Sequence, residues 1–247
     1  MRALFVQQDH VSPLGPVGDA FADRGFAVDE LLVVPADRFH SPSVTVRFPD
    51  PTRYDAIVPM GAPWSVYDHD RIGSWVLDEI TFLRAAHEAG VPILGICFGG
   101  QALAAALGGR VVRAERPEVG WTSVVTDRPD LVEPGPWFEW HGDRWELPTG
   151  LPAIARTPVA EQAFTCGRSL GLQFHPEITE AMLAGWLANG GAGHARELGI
   201  DPDELVAETA RQAVGSATRA DALVERFLDR VAGAASITGT STTQALG

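Results

Sequence analysis

Lysine is missing from this 247-residue sequence: all 19 basic residues are arginine. That absence removes mechanisms that need a lysine amine, such as a Schiff base to pyridoxal phosphate or a phosphate-binding P-loop. Basic charge is scarce as well. Against 32 Asp and Glu residues the arginines leave a net charge of −13, which repels a phosphate backbone and argues against nucleic acid as a partner. The two cysteines, Cys97 and Cys166, are too few for a disulfide scaffold and point to a reducing, cytoplasmic setting. No window reaches the run of about eighteen apolar residues that a membrane span requires, and the opening MRALFVQQDH carries no export signal. No Cys/His cluster has the spacing of a metal site, so neither a metal nor a cofactor is expected.

What the chain does contain is an alternation of short apolar runs and amphipathic stretches. Strands are expected at Ala3–Gln7, Ala27–Val34, Tyr54–Pro63 and VPILGI (91–96). Helices are expected at 17–24, 74–89, where Trp75, Ile80, Leu83 and His87 share a face, and 101–107. Such alternation predicts an α/β fold: a central, mainly parallel sheet covered by helices on both faces. Between Val111 and Gln173 the short segments TSVVT, AIAR, EQAFT and LGLQF predict a β-rich insertion. After it the helical pattern returns at 181–188, 203–214 and 220–231, with a glycine-rich break at 190–193. The expected organisation is a main domain over 1–190, a helical extension over 191–232 packed on it, and a disordered tail at 233–247.

Cys97 sits where the apolar run VPILGI meets a helix, with Gly95, Gly99 and Gly100 around it. A sharp strand-to-helix turn lifts its central residue above the sheet, and neighbouring glycines let the backbones approach. A helix N-terminus also favours a thiolate, the nucleophilic form. The competing reading is a buried cysteine acting as a small hydrophobe; Cys166, in FTCGRS, lacks the glycine setting and is read that way. A nucleophile needs a base and the base needs an orienting group. Among seven histidines, His175 in LGLQFHPEIT follows an apolar strand and has Glu177 two residues on; His141 and His69 are competitors.

Taken together, these residues resemble the class I (triad) glutamine amidotransferases. GICFGGQ (95–101) is similar to the family's nucleophile motif and FHPE (174–177) to its closing His-x-Glu motif. MGAPWSVYD (60–68) resembles its oxyanion loop and PEVGW (117–121) its glutamine-contact segment. WHGD (140–143) resembles a turn of the branch typified by the amidotransferase domain of GMP synthase. The resemblance implies a flavodoxin-like sheet and a Cys97–His175–Glu177 triad. It also implies an oxyanion hole made by the backbone N–H groups of Ala62 and Phe98, and substrate contacts at Gly61, Gln101, Gly120, Trp121 and His141. One departure stands out: Ala62 occupies a position where the family usually has glycine, which an L-residue fills without strain only at negative φ.

The implied activity is hydrolysis of the glutamine side-chain amide through a γ-glutamyl thioester, with ammonia supplied to a separate synthase. A stand-alone hydrolase of γ-glutamyl amides or peptides is the alternative, and a catalytically silent regulatory or binding subunit is a third. WFEWHGDRW (137–145) reads either as an aromatic rim on the substrate pocket or as a strand and turn packing tryptophans into the core.

Overall fold

The computed structural model describes residues 1–233, so the tail expected from 233 onward lies, apart from Gly233, outside the described residues. Five strands form the parallel part of the sheet: β1 (Arg2–Asp9), β2 (Ala27–Val34), β3 (Ala56–Pro59), β4 (Ile93–Ile96) and, from late in the chain, β10 (Ser169–Leu172). Antiparallel strands β6 (Val125–Thr126), β8 (Ala153–Arg156) and β9 (Glu161–Cys166) continue it in the order β2-β1-β3-β4-β10-β9-β8-β6. The remaining two, β5 (Arg110–Thr122) and β7 (Trp137–Glu146), pair only with each other as a long antiparallel ribbon.

Helices α1 (Gly15–Asp23), α2 (His69–Glu88) and α3 (Phe98–Ala106) connect the early strands; α4 (Glu180–Trp186), α5 (Ala192–Glu197) and α6 (Pro202–Arg226) follow β10. Because side chains alternate along a strand, each central strand feeds two cores. From β1, Ala3 and Phe5 join Phe21 and Phe227 on one face, while Leu4 and Val6 join Trp75, Leu83 and Phe98 on the other. That double burial explains why VPILGI reads as an unbroken apolar run.

Two details differ from the sequence expectation. The C-terminal helices expected at 203–214 and 220–231 are one 25-residue helix, α6, running through Gly215. Its buried stripe includes Leu205, Thr209, Ser216, Ala220, Leu223 and Val224; helical spacing is kept throughout, but Gly215 and the polar Ser216 hide the continuity between the two expected pieces. The β5–β7 ribbon also goes beyond the short segments expected there. Both strands carry charged residues at frequent intervals: those of β5 are largely exposed or half-buried, whereas β7 has no exposed residue and buries Glu139 and Asp143.

Candidate active site

The residues singled out in the sequence converge at the C-terminal ends of β3, β4 and β10, the edge where open parallel sheets bind ligands. The turn after β4 is held by contact rather than by a cap. A Cβ on Gly99 would fall 2.0 Å from the Pro59 carbonyl oxygen of β3, and one on Gly100 would fall 2.5 Å from the Leu172 oxygen of β10. Glycine is therefore what lets α3 start directly above the sheet. Cys97 N donates to Leu172 O (2.8 Å) and Gly99 N to Met60 O (3.0 Å), which fixes the turn from both neighbouring strands. At its centre Cys97 has φ 49°, the sole non-glycine residue with positive φ among the described residues. Such a backbone costs on the order of 1–3 kcal/mol and persists only where its surroundings dictate it.

His175 follows β10 and is anchored by its N–H to Phe138 O (2.8 Å). Its Nδ1 lies 2.7 Å from Glu177 Oε1, and both side chains are buried. Its Nε2 has no hydrogen-bond partner among the described residues. Burial opposes a charge on this ring, but the Cys97 sulfur and the Glu177 carboxylate outweigh it and hold its pKa well above the ordinary value. Gly61 separates the two groups: a Cβ there would sit 3.0 Å from His175 Cε1 and 3.8 Å from Cys97 Cβ. Next to it, Ala62 does not have positive φ, so the departure from glycine carries no backbone strain. Neither the Ala62 nor the Phe98 N–H finds an acceptor among the described residues.

Two cavities meet at this point. The larger, about 350 Å³, is lined by Cys97, Phe98, Gln101, Arg113, His141 and Asp143, among others. A smaller one of about 110 Å³ lies on the His175 side, walled by Asp9, Ser12, Phe39, Trp140 and Trp186. Ala62, Pro63, Trp140, Asn189 and Gly191 border both. Sequence reasoning missed Asp9, Ser12, Phe39, Trp186 and Asn189. They come from the end of β1, loops, the last residue of α4 (Trp186) and the turn at Leu187–Gly191, where Gly190 has φ 105°; only the glycine-rich break hinted at that turn.

Of the other expected residues, Gln101 and His141 reach the larger cavity but have committed polar atoms. His141 Nδ1 lies 2.9 Å from Asp143 O. Its Nε2 is 3.2 Å from Glu118 and 3.4 Å from Glu139, an ion pair with each. Burial works against protonation of His141, yet the two carboxylates push its pKa up to about 10. Gly120 and Trp121 line neither cavity. They face the C-terminal addition instead: Trp121 Nε1 donates to Thr209 of α6 (3.0 Å), and Leu205 packs beside Gly120. The two readings of WFEWHGDRW divide by residue, since Trp137 and Trp145 are buried in the core and Trp140 walls the cavities. His69 opens α2 and lines neither cavity.

Comparison with known proteins bears on the family and the fold. The family described as "Glutamine amidotransferase class-I" matches residues 28–187. A GMP synthase (glutamine-hydrolyzing) of Thermomicrobium roseum is 42% identical over 136 residues, covering 51% of this chain and 24% of that protein. One from Alcanivorax borkumensis is 40% identical over 120 residues, 42% of this chain and 23% of that protein. The match thus spans about a quarter of the length of those relatives. A glutamine amidotransferase of Thermotoga maritima superposes with a TM-score of 0.77 at 25% identity, over 93% of this chain and 98% of that one. A glutamine amidotransferase of Methylobacillus flagellatus has the same fold, with a TM-score of 0.76 at 23% identity over 92% and 94% of the two chains. With the family pattern running from β2 to α4 and the fold shared across nearly the whole chain, this protein belongs to the class-I glutamine amidotransferases.

Proposed function

We propose that the protein hydrolyses the side-chain amide of glutamine through a thioester on Cys97 and supplies the ammonia to a separate synthase. The observation that carries this reading is the strained Cys97 turn beside a buried His175–Glu177 pair. His175 holds the proton taken from the thiol, so that the sulfur attacks the amide carbon as a thiolate, and the imidazolium then gives the proton to the departing nitrogen. Glu177 keeps the ring oriented through Nδ1. The free N–H groups of Ala62 and Phe98 receive the oxyanion; one such donor contributes about 10²–10³ in rate where removed elsewhere. Water then releases glutamate and restores the thiol. Residues 1–190 form the amidotransferase unit in this reading, and 191–232 are an addition that walls its cavities.

The cavity on the His175 side favours a second reading. The leaving nitrogen must lie beside the imidazole that protonates it, so a substituent on that nitrogen would extend toward Phe39, Trp140 and Trp186. A γ-glutamyl amide of a larger amine fits this placement, whereas glutamine leaves the space unused. The test is glutamate release from glutamine and from a series of γ-glutamyl amides, with and without added synthase, in wild type and Cys97→Ala. Full activity in Cys97→Ala overturns both readings. Turnover that needs a synthase selects the ammonia supplier; fast unaided turnover of an N-substituted amide selects the hydrolase.

A further inference from the structure

The sulfur of Cys97 faces a second polar group. Gln173, immediately after β10 and fully buried, places Nε2 3.7 Å from Cys97 Sγ. A carboxamide can present either its oxygen or its NH2 to a neighbour, and the two have opposite consequences for a thiolate. Here the surroundings decide which. The Asp143 backbone carbonyl can only accept, so Gln101, 3.3 Å away, must face it with Nε2. The same NH2 group has a second hydrogen, and it points to Gln173 at 3.2 Å, so Gln173 must turn its Oε1 to Gln101. That leaves the Gln173 NH2 for the sulfur. The chain of donors has one direction, and a backbone carbonyl sets it.

The anchor is itself fixed. Asp143 O also lies 2.9 Å from His141 Nδ1, a second donor on the carbonyl's other lone pair. The Asp143 side chain accepts from Tyr67 OH (2.7 Å) and from Ser65. His141 in turn rests between Glu118 and Glu139, and Glu118 Oε2 accepts from Thr157 and Gln162 at 2.9 Å each. A polar network of buried and half-buried side chains thus runs from the β5–β7 ribbon to the nucleophile on the side served by Gln173.

We propose that the Gln173 carboxamide donates to the Cys97 sulfur and favours its thiolate. In this assignment Gln101, held by the Asp143 carbonyl, is a positioning residue that fixes the end of Gln173 the sulfur meets. The role assigned to Gln101 differs from a direct substrate contact, and the proposal rests on Cys97 being the nucleophile. No bond is made or broken by the pair. The proton leaves the thiol for His175 as before, and the N–H of Gln173 stays in place while the sulfur gains its negative charge.

The experiment is iodoacetamide alkylation of Cys97, followed by peptide mass spectrometry across pH, alongside kcat and KM for glutamate release. Variants are Gln173→Met, which keeps the shape and removes the donor, and Gln101→Glu, which disfavours the arrangement at the Asp143 carbonyl. Near neutral pH both should alkylate about tenfold more slowly than wild type, the scale of one hydrogen bond to a charged group. In strongly alkaline solution, where the thiol ionises unaided, their rates should return to the wild-type value. The loss in turnover should fall on kcat with KM little changed.

A Gln101→Glu variant with raised KM and a wild-type alkylation profile overturns the relay and restores the substrate-contact role. An unchanged profile in Gln173→Met overturns the donor itself. Should Gln173→Met fail to fold, Gln101→Met carries the test, because it leaves Gln173 in place but free to turn. Failure of the proposed function looks different: wild type itself would release no glutamate and would not alkylate at Cys97 in preference to Cys166.

Discussion

Two walls enclose the Cys97 sulfur, and they are built differently. On one side the turn from β4 into α3 is locked by glycines whose missing Cβ atoms would fall 2.0–2.9 Å from backbone of β3, β10 and α3. On the other, the segment from Trp186 to His194 crosses the cavities through a wide turn, with Gly190 at φ 105° and open space around Gly190 and Gly193. The first wall has a single geometry dictated by atoms in van der Waals contact. The second is constrained at Gly191, where a Cβ would fall 2.7 Å from the Trp186 carbonyl oxygen, but leaves open space at Gly190 and Gly193. In the proposed function the reacting sulfur belongs to the rigid wall, and selection among amines would fall to the other.

The largest expected break in that contrast is Gly99→Ala. Its Cβ meets backbone that cannot swing away, so stability should fall by about 3 kcal/mol or more and glutamate release should disappear. Urea unfolding against wild type measures it, and a wild-type midpoint would show that the turn is not constrained as described. The same substitution at Gly193, inside α5 and touching nothing within 4 Å, should leave activity intact. It should stabilise by up to about 1 kcal/mol through helix propensity.

Glu177→Gln ranks next. It keeps the bond to His175 Nδ1 but removes a charge, so turnover should drop without vanishing. It also changes stability with a definite sign. The folded imidazole has a pKa raised above 6.5, so its protonation stabilises the fold fully below that value and ceases to do so as pH rises through the raised one. The stability gap between wild type and Glu177→Gln should therefore be widest in mild acid and narrow in alkali; a gap that widens with pH contradicts the assignment. Trp186→Ala removes a ring that lines the smaller cavity and packs edge-on against His175 (centroids 4.9 Å apart), and should lower turnover of glutamine less than Glu177→Gln does. It should change KM among N-substituted γ-glutamyl amides by several-fold, in line with about 1–3 kcal/mol for a pocket contact. Equal KM shifts for every substrate would remove Trp186 from amine selection.

A buried acid away from both walls gives a further check. Glu79 of α2 is fully buried against Gln8 (2.6 Å), and burial raises its pKa to about 8. The folded state therefore keeps a proton that the unfolded chain gives up near 4.5, and this contribution to stability is lost as pH rises between those values. Glu79→Gln should flatten the decline, as denaturation midpoints across that range would show.

Much of this was legible in the residues themselves. Apolar runs made β1, β2 and β4 readable, and the crowded glycines around Cys97 marked its turn. The α6 helix was legible as two pieces but not as one, because Gly215 and the buried Ser216 interrupt the apolar pattern between them. Asp9, Phe39 and Trp186 carry no local signature of a site; they border one cavity because the ends of β1, a loop and α4 meet there.

The sequence by itself determined the alternation of strands and helices, the strained turn at Cys97 and the histidine-glutamate pair two residues apart, since each follows from short-range sterics and periodicity. Only the tertiary structure decided which face of Gln173 meets the sulfur, that Trp121 turns to α6, and what walls the second cavity. Those outcomes depend on groups distant in the chain sharing acceptors and space, and no local pattern encodes that sharing.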